Sequence, residues 1–348
     1  MSERGFDVIA LDARGEAVEK ARELGIDARL FDVEGGQLPD WLEERRIVVA
    51  LVALPHHVAE KVVARLMDRG IPMVVVTVKP LTINTSTSRP SPAIVEAGLS
   101  PGLSNLVVFR TAREVGRTSV RVLVGSFGKQ DDGVLGHAST WSTRDMLEQY
   151  VSPSVIVKDG RVLEVDPLDE QFWIEFLDQS FGKLVCFPSQ GLSGFMDRHG
   201  GMFRYLAECS VRRPAHLNTV KTLQYLGLLD KSTIRVAGCI VRPIDLMSEL
   251  ISRRYPAVLG DNALLIVETL EGQDWRRVFR LTAASDVWWS ATSKAVGGAS
   301  AAFTEVFISE SIFESEEGVI YPEDLYEMGL YEKLVSLLTS HGVAIEEG

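Results

Sequence analysis

Residues 47–78 read IVVALVALPHHVAEKVVARLMDRGIPMVVVTV, two apolar runs on either side of an amphipathic one. A run such as IVVALVA (47–53) or PMVVVTV (72–78) suits a strand buried on both faces of a parallel sheet. Between them, Val58, Val62 and Leu66 share one stripe of a helix over 57–69 that stops at Gly70. Upstream, FDVIALD (6–12) is a short β-rich run ending in an acid. GEAVEKARELG (15–25) places Val18, Ala21 and Leu24 on one helical face, with Glu16 and Lys20 at i,i+4 and Gly25 at the end. Downstream, AIVEA (93–97) predicts a further strand that runs through a turn into a helix. Strands and helices alternating at this spacing make βαβ units. The fold class is therefore α/β: a Rossmann-like, doubly wound parallel sheet over 1–118, completed by part of 300–348.

The texture changes after residue 118. RVLVGSFG alternates, SVIVKDGRVLEV reads as a hairpin turning at Asp159-Gly160, and ALLIVETLEGQDWRRVFRL reads as a second pair. Helical stretches at 217–228, 244–253 and 290–308 are interspersed. The expectation for 119–300 is an α+β domain with an antiparallel sheet. A terminal helix is expected near 323–340, in an acidic stretch that reads as a solvated face. TINTSTSRPS (82–91) stands where a crossover helix belongs and reads as a surface loop.

Lys and Arg number 36 and Asp and Glu 48, a net charge of −12 in 348 residues. So acidic a chain is a poor ligand for nucleic acid or anionic membranes, which need clustered cations. Cys186, Cys209 and Cys239 lack CxxC spacing and read as reduced thiols of a cytoplasmic protein. No apolar run is long enough to span a membrane, and the first residues do not form a signal peptide. No metal site is expected: His56 and His57 are adjacent and point apart on a regular element, and the other histidines are scattered. The pair Trp288-Trp289 reads as core or interface.

An acid closing a short strand ahead of a helix is how dinucleotide folds hold the adenosine ribose. Asp12 is so placed, and Arg14 is positioned to lie along the adenine. Such an acid normally follows a GxGxxG loop by about 20 residues; here Gly5 is the sole glycine before it. The sequence thus starts near the second strand of the pattern, and the strand at 6–12 is expected to be displaced, isolated or paired with the wrong neighbour. EAGLSPGLSN (96–105) places a Gly-x-x-Pro-Gly turn between strand and helix. Pro101 suits a first helical turn, Gly102 allows close approach of a ligand, and Ser104 and Asn105 offer a hydroxyl and an amide.

EAGLSPGLSN resembles the motif of the saccharopine dehydrogenase-like superfamily, in particular its lysine 6-dehydrogenase branch. Similar stretches follow in family order: TWSTRDMLEQYVSPSVIVKDGRVLEVDPL (140–168), SQGLSGFM (189–196), SVRRPAHLNTVKTLQYLGLL (210–229) and GVIYPEDLYEMGL (318–330). The resemblance implies a Rossmann domain with an α+β domain, a homodimer or higher homo-oligomer, NAD as cofactor and an amino acid as substrate. It implies oxidation of the ε-carbon of L-lysine, giving 2-aminoadipate 6-semialdehyde, ammonia and NADH. Saccharopine, or another amine handled by a reductase of the superfamily, is the alternative; a truncated, non-catalytic homologue is a third reading. On the resemblance, Glu96 holds the acidic position of the motif and takes the proton of the amine, whose ordinary pKa is about 10.4. Arg212 grips the α-carboxylate, and His216 is an acid/base or orienting group. Trp141, Ser104 and Asn105 line the substrate. Asp12, Arg14, Asp32, Ala53, Leu54, Pro55, Gly98, Pro101 and Gly102 hold the cofactor. The sequence departs from relatives at Gln190 and Ser193, where they tend to Asp and Arg, at Val75, where they carry aspartate, and over TVKPLTINTSTSRPSP (77–92), which replaces an acidic helix; a local reading-frame error over about 75–92 would produce both of the last two changes.

Overall fold

In a computed structural model the chain is described at residues 5–33, 38–39, 47–77, 79–83, 89–128, 142–254 and 260–348. It divides into two units, Met1–Gly98 with Ala299–Leu334, and Leu99–Gly298 with Val335–Gly348. The opening stretch forms β1 (Ile9–Asp12), α1 (Gly15–Glu23), β2 (Asp27–Leu30), β3 (Ala50–Ala53), α2 (His56–Asp68), β4 (Met73–Val76) and β5 (Ala93–Ile94). The strands are shorter than the apolar runs. AIVEA keeps only its first two residues in the sheet, because Glu96 takes a left-handed φ of 56° that no strand accommodates.

The middle of the chain gives α3 (Leu103–Val115), β6 (Thr118–Gly128), α4 (Thr143–Val151), β7 (Ser154–Lys158), β8 (Arg161–Val165), β9 (Ile174–Asp178), β10 (Gly182–Pro188), α5 (Ser193–His199), β11 (Phe203–Arg212) and α6 (Pro214–Tyr225). Next come β12 (Ile234–Val236), β13 (Cys239–Val241), α7 (Pro243–Arg254), β14 (Asp261–Glu271), β15 (Asp274–Ala284) and α8 (Ala291–Ser309). The chain continues with α9 (Ile312–Ser315), β16 (Val319–Ile320), α10 (Pro322–Glu327), α11 (Tyr331–Ser340) and β17 (Ala344–Glu347). The single terminal helix expected over 323–340 is two, because Gly329 sits at φ 74° between them. That stretch is not wholly solvated either, since Glu323 is buried.

In the first unit, β3, β4, β5 and β16 form a parallel sheet in the order β16-β5-β4-β3. Val58, Val62 and Leu66 of α2 pack with Met73 and Val75 of β4, as the stripe requires. β1 and β2 pair with each other, in parallel, as a separate two-stranded sheet.

The second unit is built on a nine-stranded mixed sheet whose main path is β17-β15-β14-β6-β11-β10-β9. The β7–β8 hairpin turns at Asp159-Gly160, both at positive φ, as a tight two-residue connection demands. β14 and β15 pair in antiparallel register from Asn262↔Ala284 to Glu271↔Asp274. Within this otherwise antiparallel sheet, β6 and β11 run parallel. On β11 the side chains alternate: Ala207, Cys209 and Val211 enter an apolar core with Leu123, Phe127 and Leu264. Glu208, Ser210 and Arg212 therefore take the other face, on the side where Tyr150, Leu217 and Ile244 of the helices pack against Val185 and Phe187. Trp288 and Trp289 are 43% and 41% exposed, which rules out the core for both within this chain.

Candidate active site

The turn after β5 is reshaped relative to the expectation for Pro101. Pro101 follows a cis peptide bond and lies outside the helix, which starts at Leu103 behind Gly102. Gly102 has φ 136° and ψ −100°, a conformation reserved for glycine. Its N–H donates to Asn105 Oδ1 at 3.1 Å, so the third helical residue reaches back to cap the first turn. Ser104 and Asn105 are fully buried, and Ser104 Oγ lies 3.2 Å from the same Asn105 oxygen.

This turn is anchored to β11 by an acid that motif reading passed over. Glu208 is buried; its Oε2 lies 2.6 Å from Ser100 Oγ, while Ser189 Oγ at 2.6 Å and the Gly191 N–H at 3.2 Å donate to its Oε1. Burial, the largest influence, pushes the Glu208 carboxyl above the ordinary carboxylate range, and the bonds from Ser189 and the Gly191 N–H only partly oppose it. Gly191 has to be glycine here, since a Cβ would stand 2.4 Å from the carboxylate.

Two and four residues on, the same face carries Ser210 and Arg212. Arg212 is 3% exposed. Its Nε donates to Tyr150 Oη at 3.2 Å, Nη1 to its neighbour's carbonyl on Val211 at 2.7 Å, and Nη2 to Gln149 Oε1 at 3.4 Å. Phe187 lies under the guanidinium, 5.9 Å to the ring centre. Among the described residues no carboxylate pairs with it. Tyr150 Oη is 2.7 Å from His216 Nε2. The phenol oxygen accepts from Arg212 Nε as well, so Tyr150 is held between the guanidinium and the imidazole. Burial, the largest influence, raises the Tyr150 phenol, and the nearby Arg212 offsets this in part. Arg212 thus sits among neutral acceptors, Tyr150, Gln149 and the Val211 carbonyl, with Tyr150 bridging it to His216.

The first unit holds the residues expected to meet a nucleotide. Asp12 ends β1 and accepts from the Arg14 N–H at 2.8 Å and from Arg14 Nε at 3.3 Å. Burial pushes its carboxyl up, but those hydrogen bonds outweigh burial and hold it below the ordinary value. Arg14 is mostly exposed, and Asp32 lies exposed just past β2. Ala53, Leu54 and Pro55 sit at the carboxyl end of β3, and Thr77, at the end of β4, buries an Oγ1 with no hydrogen-bond partner. Glu96 and Gly98 are buried at the carboxyl end of β5. The carboxyl ends of parallel strands are where open α/β sheets bind ligands. Trp141 lies outside the described residues. Among the described residues no cluster of His, Cys, Asp or Glu could hold a metal, and no helix is long and apolar enough to cross a membrane.

The model of the saccharopine dehydrogenase C-terminal domain family matches residues 98–343. The chain belongs to that family. Apo saccharopine dehydrogenase (L-Glu forming) from Saccharomyces cerevisiae superposes with a TM-score of 0.71 at 16% identity, over 99% of this chain and 94% of that one. Homospermidine synthase from Legionella pneumophila, solved with NAD, gives 0.58 at 10% identity, over 99% and 87%. At such identities the likeness is one of fold: the mixed α/β architecture of this saccharopine dehydrogenase relative is that of the yeast enzyme. Sequence motifs reached Arg212, His216 and the 96–105 turn. They did not single out Ser100, Gln149, Tyr150, Ser189, Gly191, Glu208 or Ser210. The signal for two of these, Glu208 and Ser210, lay in the alternation of ECSVR (208–212), polar on one face and apolar on the other.

Proposed function

We propose that the chain is an NAD-dependent oxidoreductase acting on the CH–NH2 group of L-lysine, giving 2-aminoadipate 6-semialdehyde and ammonia. The observation that carries this reading is Arg212. A guanidinium taken out of water costs several kcal/mol unless an anion compensates it, and its described surroundings supply only neutral acceptors. The α-carboxylate of an amino acid is the planar anion that a guanidinium binds in bidentate fashion. Tyr150, fixed between Arg212 and His216, holds the guanidinium in place from behind.

For the cofactor, Asp12 fits the adenosine ribose, and the orphaned Thr77 hydroxyl at the strand ends is the kind of buried polar atom a ligand satisfies. Ala53, Leu54 and Pro55 offer it a flat, uncharged edge, and Gly98, Pro101 and Gly102 the backbone of the turn. Among the described residues of the first unit no glycine-rich turn opens onto a helix, so none is named for the pyrophosphate. When bound, NAD accepts a hydride from the carbon that carries nitrogen. Glu96 takes the proton that the amine must lose, and the semialdehyde follows by hydrolysis of the imine.

The test is a substrate panel followed by NADH absorbance. We expect turnover of lysine, with NAD preferred over NADP, because Asp12 would face the extra phosphate at a cost of about a few kcal/mol. Saccharopine dehydrogenase activity is the second reading, favoured equally by the family and by the yeast fold; turnover of saccharopine but not lysine would select it. No NAD binding and no turnover would leave the non-catalytic reading.

A further inference from the structure

The hydroxyls between Glu208 and Asn105 allow a count of protons. Three oxygen–oxygen contacts lie in a row: Glu208 Oε2 to Ser100 Oγ at 2.6 Å, Ser100 Oγ to Ser104 Oγ at 2.8 Å, and Ser104 Oγ to Asn105 Oδ1 at 3.2 Å. Each needs one hydrogen. Ser100 and Ser104 bring one each. Asn105 brings none, because the oxygen of its amide is the atom that accepts the Gly102 N–H. Ser189 spends its hydrogen on the other carboxyl oxygen, Oε1. The third hydrogen has one remaining source, the carboxyl of Glu208 itself.

We propose that Glu208 is a positioning residue that keeps its proton at neutral pH and donates it to Ser100, so that the chain Glu208→Ser100→Ser104→Asn105 fixes the amide of Asn105 and the Gly102 turn. Every polar atom is then satisfied: Oε1 accepts from Ser189 and Gly191, and Oε2–H donates. The surroundings favour this form. The Ser100 turn and the 189–191 loop bring no charge to the carboxyl, and β6 presents Val122 in register with Glu208. On its own strand Ser210 is neutral, and Arg212 directs its hydrogen bonds to Tyr150, Gln149 and Val211, none to Glu208. Were Glu208 ionised, one of the three contacts would set lone pair against lone pair in a buried site. The importance of this chain for activity rests on the reading that the 96–105 turn serves the substrate; its protonation does not, and is measured without substrate or cofactor.

The sign of the linkage follows. A native state that binds one proton more than the unfolded chain loses stability as pH rises above the ordinary carboxylate range, until the buried group ionises. Glu208→Gln, whose amide donates to Ser100 and accepts from Ser189 and Gly191, mimics the protonated acid and lacks this slope. Its unfolding equilibrium constant should fall relative to wild type by about tenfold per pH unit over that window. Glu208→Ala breaks the chain and should be less stable than Glu208→Gln. Infrared spectra of the wild-type protein at pH 7 should contain the carbonyl band of a protonated acid that vanishes in Glu208→Gln. Parallel stability–pH curves for wild type and Glu208→Gln, or equal stability of the Gln and Ala variants, would overturn the proposal. Should Glu208→Gln not fold, a wild-type spectrum at pH 7 without a protonated-acid band overturns it alone.

Discussion

Arg212 and Glu208 lie four residues apart on one face of β11, and opposite physics governs them. The acid avoids its charge by keeping a proton, whereas a guanidinium cannot lose one. Its charge has to be met by something that arrives, which is why Arg212→Gln is the sharpest single change at the site. We expect KM for the amino acid to rise roughly 30-fold or more, the lower end of the about 2–5 kcal/mol seen on truncating one partner of a buried charge pair. NAD affinity should stay near its wild-type value. An unchanged KM in a folded variant would remove Arg212 from the substrate. At this scale a residue was singled out only where it belonged to a contiguous motif. Glu208 was not, because its partners come from Ser100, 108 residues earlier, and from Ser189, 19 residues earlier. Such a site is assembled by the sheet, and no local pattern reports it.

At the scale of elements, tight turns and apolar periodicity carried the reading. The β7–β8 hairpin followed from Asp-Gly between alternating runs, and α2 from its stripe, since both depend on neighbours in sequence. Strand lengths were less legible: Glu96 with its left-handed backbone ends β5 after two residues, and propensity gives no warning of that. Gly125, in the middle of β6, shows the same contrast. Its sequence context is an ordinary strand, yet a Cβ there would lie 2.6 Å from the Val211 carbonyl oxygen of the neighbouring β11. The atom it would meet belongs to backbone, which cannot swing aside as a side chain can. Gly125→Ala should destabilise the protein by about 1–3 kcal/mol, the usual range for overpacking, as read from the midpoint of urea unfolding. A midpoint equal to wild type would mean that the two strands separate at no cost.

Across the whole molecule, stability should be uneven. The β1–β2 sheet has two strands of four residues, and the buried apolar side chains of its stretch are Val18 and Ala28. β6, β11 and β14 lie inside a nine-stranded sheet with Val122, Leu206, Leu265 and Val267 at or near zero exposure. Two short strands with so small a core are marginal on their own. Hydrogen exchange should therefore open the amides of 9–12 and 27–30 by local fluctuations, well before those of β6, β11 and β14, which exchange through global unfolding. Equal protection of both sheets would contradict this. The change of pattern near residue 118 was legible, whereas the units divide at Gly98 and Leu99, so that α3 falls in the second. A return of part of 300–348 to the first domain was expected; what was not legible is which strands it pairs, β16 with β5 and β17 with β15.

That return has a consequence for synthesis on the ribosome. β5 is translated more than two hundred residues before β16, its parallel neighbour, so the first sheet waits with an open edge while the whole of β6 to β15 is made. A chain growing at about 5–20 residues per second leaves that edge uncovered for about ten seconds or more. Unpaired edges recruit strands from other chains. The nascent protein thus passes through a vulnerable interval set by its topology, and a chaperone that shields the first ninety-odd residues would act during that interval.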